Sequence, residues 1–217
     1  MPKLDPKVTP KLAAATETGT AIKSDVTLYL DIDLENGVTD KADKPFNMTA
    51  VYLPDPGAVT DPVTVLLWFC GHKDGTTKSL ESKSPPRGPK LNLNRMSIKD
   101  YLNVDEYNLR QFIGKTSKRK FILVAPTLTD MSGAGLLGQE TEAEGFLSQV
   151  VNGINANVKA KKLTSVGNIV LAAHSGGGSI MSKVIKYGGS FAKVREVWCV
   201  DCTYGSGYIF TPTVEVI

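Results

Sequence analysis

Residues Asn168–Gly178 read NIVLAAHSGGG, and this stretch decides the fold. Asn168 to Ala173 is a short apolar run with branched side chains, the pattern of a buried strand. His174 and Ser175 follow, then the glycines Gly176, Gly177 and Gly178. A predicted helix runs from there to Tyr187, stopped by Gly188-Gly189. A serine on a sharp strand-to-helix turn is thrust clear of the sheet, and small residues on either side relieve the clash the turn would cause. The Gly176 N–H sits at the positive end of that helix, where a developing oxyanion is stabilised.

Working upstream, Thr141 and Glu144 match a capping box. Ala143, Phe146, Leu147, Val150, Val151, Ile154 and Val158 then repeat at helical period, which predicts an amphipathic helix. Phe121 to Ala125 (FILVA) predicts a strand closed by Pro126, and Val63 to Phe69 (VTVLLWF) one that is apolar on both faces. A short helix is predicted around Asp105 to Phe112, with Gly114 as its stop. Val26 to Leu34 alternates at period two, and Phe46 to Leu53 forms a second early strand before the Pro54–Gly57 turn. Downstream, Val194 to Val200 predicts a last buried strand carrying Trp198 and ending at Asp201. Gly71 to Val104 has no period, contains Pro85-Pro86-Arg87-Gly88-Pro89, and reads as a long lid or binding loop. Residues 1–24 read as a flexible arm. Strands first, then strands alternating with helices, predict one α/β domain over residues 25–217, its mostly parallel sheet preceded by antiparallel N-terminal strands.

The 217 residues are 41% hydrophobic and 22% charged, which excludes a largely disordered, collagen-like or coiled-coil chain. The longest apolar run, Val65 to Cys70, falls far short of the roughly 18 residues of a membrane span. No apolar stretch near Met1 reads as a secretory signal. Net charge is +3, and its basic runs, Lys115–Lys120 and Lys159–Lys162, fall where helices end. They complement helix dipoles there, so no nucleic-acid partner is expected. Three cysteines without regular spacing suggest no disulfide framework, Cys199 reads as core, and a reducing, cytoplasmic compartment is the default. A zinc set of Cys70, His72 and Cys202 matches no standard spacing, so neither metal nor cofactor is expected.

Ala173-His174-Ser175-Gly176-Gly177, between a strand and a helix, resembles the G-x-S-x-G nucleophile elbow of the α/β-hydrolase superfamily, with Ala173 in place of the first glycine. The order of elements matches that fold over most of the chain. Trp68-Phe69-Cys70-Gly71-His72 lies where the family keeps its His-Gly oxyanion loop, Cys70 taking the place of the histidine. The resemblance implies a three-layer αβα domain acting on a small carboxylic ester or related acyl substrate. It implies Ser175 as nucleophile, the N–H groups of Gly176 and His72 as the oxyanion hole, and Asp201 as the triad acid. Two other readings of the glycine run stand beside it: a plain tight turn, and a phosphate cradle, although the Walker and Rossmann patterns both fail.

The superfamily's catalytic histidine follows the final strand, whereas this sequence holds only His72 and His174. His174 reads as a packing neighbour of the serine. The resemblance therefore implies a domain without its C-terminal part, and leaves a non-catalytic binding or scaffold protein as the alternative. Too little sequence follows Asp201 for a further parallel crossover, so Val194–Val200 is expected to be an edge strand. Its cover is expected to be a second copy, a complementing C-terminal chain, or the Thr211–Ile217 tail folded back.

Overall fold

The computed structural model describes residues 4–21, 23–34, 48–70, 98, 102, 109–111, 113–114, 120–128, 135–139, 142–159, 162–187 and 193–202. They form seven strands, β1 (Leu12–Thr18), β2 (Val26–Asp31), β3 (Met48–Leu53), β4 (Val63–Phe69), β5 (Phe121–Pro126), β6 (Val166–His174) and β7 (Val194–Val200). Two main helices join them, α1 (Glu142–Asn157) and α2 (Gly177–Tyr187), and Leu109–Gln111 is a further helical turn inside the predicted Asp105–Phe112 helix. Thr141, half of the expected capping box, lies outside the described residues.

One sheet holds all seven strands in the order β1-β2-β3-β5-β4-β6-β7. The pairs β1/β2, β2/β3 and β3/β5 are antiparallel, and β5/β4, β4/β6 and β6/β7 are parallel. The α/β class and the antiparallel N-terminal strands follow the sequence reading. β4 shows why the centre is stable. Val63, Val65, Leu67 and Phe69 enter one apolar cluster and Leu66 and Trp68 the other, so every position of the strand but Thr64 is buried. The first cluster is closed by Phe146, Val150 and Ile154 of α1 and by Ile180, Met181 and Val184 of α2. The second receives Ile98, Leu102, Leu109 and Ile113 from the sequence between β4 and β5.

Two expectations need correction. The arm expected over residues 1–24 contains β1, an edge strand with mostly exposed side chains and an irregular register against β2. Its order comes from backbone pairing, which leaves no apolar alternation in the sequence. Ahead of it, Leu4 is buried and its N–H donates to the Glu142 carboxylate at 2.7 Å. The second correction concerns β7. Expected as buried, it is half-exposed along its length and comes last in the sheet among the described residues, the Thr211–Ile217 tail lying outside them. Among the described residues its one paired neighbour is β6.

The β1–β3 end is held by a polar network. Glu17 accepts from Arg110 Nη1 at 2.7 Å and from the Tyr29 hydroxyl at 2.9 Å, while Arg110 also donates to Thr27 Oγ1 at 3.2 Å. Buried Asp25 accepts from the N–H groups of Thr20 and Ala21, at 2.8 and 2.6 Å, and from the Tyr52 hydroxyl at 3.3 Å. Charge-assisted bonds of this kind satisfy groups that would otherwise be expensive to bury.

Burial, reinforced by Glu17 beside Tyr29 and by Asp25 beside Tyr52, pushes both phenols well above the ordinary tyrosine range. Their neutral forms are therefore favoured by folding. That stabilisation is full below the unfolded value of about 10 and is lost as pH rises beyond it. We expect denaturant midpoints to fall steeply above about pH 10, and to fall less in a Tyr29→Phe/Tyr52→Phe variant. Phenolate absorbance provides the check: two tyrosines should ionise only with unfolding, and free titration of all seven near pH 10 would contradict the assignment.

Candidate active site

The sheet itself points to the place where a site can form. From β4 the chain passes to β5 on one side, and from β6 it passes to β7 on the other. The carboxyl ends of β4 and β6 thus flank a topological switch point, where open α/β sheets leave a crevice. Phe69 of β4 is paired with Ala173 of β6, and His174 of β6 with Val200 of β7. The residues just past these pairs are Cys70, Ser175 and Asp201.

Ser175 joins β6 to α2 with φ of 51°, the left-handed region that L-residues avoid. Both of its backbone polar groups are committed. Its N–H donates to Val200 O at 3.1 Å, and its carbonyl accepts from Gly178 N at 3.0 Å. Ser179 closes the first turn, donating to Gly176 O from its N–H at 3.2 Å and from its hydroxyl at 3.0 Å. The Ser175 side chain is half-buried, and no hydrogen bond to its hydroxyl is found among the described residues.

The glycines after Ser175 are demanded by contact. A Cβ on Gly177 would collide with the Phe69 carbonyl and lie 2.9 Å from Cys70 O. On Gly178 it would lie 2.5 Å from Cys202 O and 2.9 Å from Cys202 Cβ. The first turn of α2 is therefore wedged between the end of β4 and the residue that follows Asp201. Gly176 precedes these glycines. It is half-buried at the head of an eleven-residue helix, and its N–H has no partner among the described residues.

The sequence-predicted residues distribute as follows. Ser175, Gly176 and Asp201 are brought to neighbouring strand ends. Asp201 is exposed and, with φ of 46°, also left-handed. His72, expected to supply the second oxyanion N–H, lies outside the described residues. His174 ends β6, half-buried. Cys70 carries a free thiol, is half-buried, and desolvation pushes its pKa above the ordinary thiol range.

Cys199, expected as core, is exposed on β7, and its sulfur is bonded to that of buried Cys202, with the two Cα atoms 5.5 Å apart. The left-handed turn at Asp201 reverses the chain and brings the two Cβ atoms together. The C-x-x-C spacing was the available signal, but only the turn geometry gives it meaning. In this state Cys202 has no thiolate to offer a metal.

No protein-family model matches the chain, and no curated protein matches it. The site is accordingly read from its own geometry.

Two stability predictions follow from the turn. An L-residue in the left-handed region costs roughly 1–2 kcal/mol, so Ser175→Gly should stabilise the fold by about 1 kcal/mol, a Tm rise of about 2–4 °C. Gly177→Ala should destabilise by about 3 kcal/mol, because the wedge against Phe69 has to open. Denaturant unfolding checks both, and a Ser175→Gly variant less stable than the parent would show the turn to be relaxed.

Proposed function

We propose that this chain is a serine hydrolase of the α/β-hydrolase type that cleaves a carboxylic ester or related acyl bond. The observation that carries the reading is Ser175 at φ of 51° on the β6–α2 turn. A turn with a purely structural role would be relaxed by glycine there, and glycines occupy the next three positions. Placing serine at the strained position projects a hydroxyl from the switch point of the sheet, beside a helix N-terminus. Support also comes from the two apolar clusters, which suit helices on both sheet faces and hence a three-layer domain.

In the proposed reaction the Ser175 oxygen attacks the acyl carbon and its proton passes to solvent water, since neither His72 nor His174 is assigned as the base. The Gly176 N–H, with the His72 N–H as second donor, holds the oxyanion. Collapse expels the alcohol and leaves an acyl-serine, which water then cleaves. Asp201, one strand from the serine, is assigned the orienting acid. Specificity is assigned to the sequence between β4 and β5, which leads away from the same crevice.

The test is intact-mass analysis after incubation with a fluorophosphonate. One adduct is expected on the parent protein and none on Ser175→Ala. Removal of a triad member still leaves roughly 10³–10⁴-fold catalysis over water, so slow turnover of an activated ester is expected. His72→Ala and His174→Ala should each retain activity within about tenfold of the parent. An unlabelled parent protein would favour the non-catalytic binding reading. A loss of a hundredfold or more in either histidine variant would identify that residue as the base.

A further inference from the structure

The Cys199–Cys202 disulfide encloses Val200 and Asp201, and both of those residues serve the elbow. Val200 O receives the Ser175 N–H at 3.1 Å, fixing the turn from the side of β7. Asp201 is held left-handed within the loop that the bond closes. Cys202, 2% exposed, lies against Gly178, so the far end of the bridge rests on the first turn of α2. The near end is different. Cys199 is exposed, on an edge strand with Val200 47% exposed beside it. One half of the bridge thus belongs to an exposed residue, while the other is buried against the first turn of α2.

We propose that this disulfide is the positioning device for the Asp201 turn and the elbow, and that it places the reactivity of Ser175 under thiol control. The proposal rests on reading Ser175 as the nucleophile. Reduction by a dithiol is balanced: one thiolate of the reductant attacks the Cys199 sulfur, and Cys202 leaves as a thiolate that takes a proton. The second thiolate of the reductant then displaces Cys199 as a thiol and closes the reductant's own disulfide. Two electrons pass to the protein. Freed of the bridge, residues 199–202 lose the constraint that holds Val200 O on Ser175 N and Asp201 beside the switch point. Misplacement of about 1 Å at a catalytic group is enough to slow reaction by about a hundredfold.

The experiment compares the oxidised protein, the same protein reduced with dithiothreitol, and Cys199→Ser, the softer break because that side chain is exposed. Two readouts are taken. Hydrogen exchange at the Ser175 amide reports the coupling without any chemistry, and fluorophosphonate labelling at saturating probe reports reactivity. Exchange at Ser175 is expected to quicken by about tenfold or more in both bridge-free forms, with far-ultraviolet circular dichroism unchanged. The maximal labelling rate should fall by about tenfold or more while the half-saturating probe concentration changes little. Reoxidation of the reduced protein should restore both. Unchanged Ser175 exchange overturns the proposal, as does faster exchange with an unchanged labelling rate. If neither form is labelled yet exchange responds, the nucleophile reading fails and the coupling stands.

Discussion

The first turn of α2 has almost no freedom, and the rest of the candidate site depends on that restriction. Gly177 abuts the last carbonyls of β4, and Gly178 abuts Cys202 beyond β7. A side chain at either position would separate the helix from the sheet. Because the helix is clamped on two sides, the two residues linking it to β6, Ser175 and Gly176, must make the whole change of direction, and Ser175 takes the left-handed backbone that this needs. Its left-handed backbone follows from packing at its neighbours. The strain of order 1–2 kcal/mol is set against the much larger burial of β4, β6 and α2 in the core.

The molecule divides its work between the two ends of the sheet. At the β1–β3 end, buried Asp25 and half-buried Glu17 are matched by Arg110, by two tyrosine hydroxyls and by backbone N–H groups, so polar atoms there are committed to holding strands together. At the carboxyl ends of β4, β6 and β7, backbone groups hold the turns, while the Ser175 hydroxyl and the Gly176 N–H keep no partner among the described residues.

The sequence by itself determined the central strands and the two helices, because these elements bury apolar side chains at a fixed period. VTVLLWF and FILVA allow little but a strand covered on both faces, and the Ala143–Ile154 stripe specifies α1. The strand-serine-glycine order likewise announced the turn at Ser175, since only small residues follow it. β1 was not legible, because an exposed edge strand is ordered by backbone pairing and its side chains carry no signal. Nor was the Cys199–Cys202 bond, which exists because a left-handed residue at Asp201 folds the chain back. Tertiary structure alone decided the strand order that makes a switch point of β4 and β6, and the register that sets Ser175 beside Val200. Both are contacts between residues far apart in the chain, and local periodicity holds no record of them.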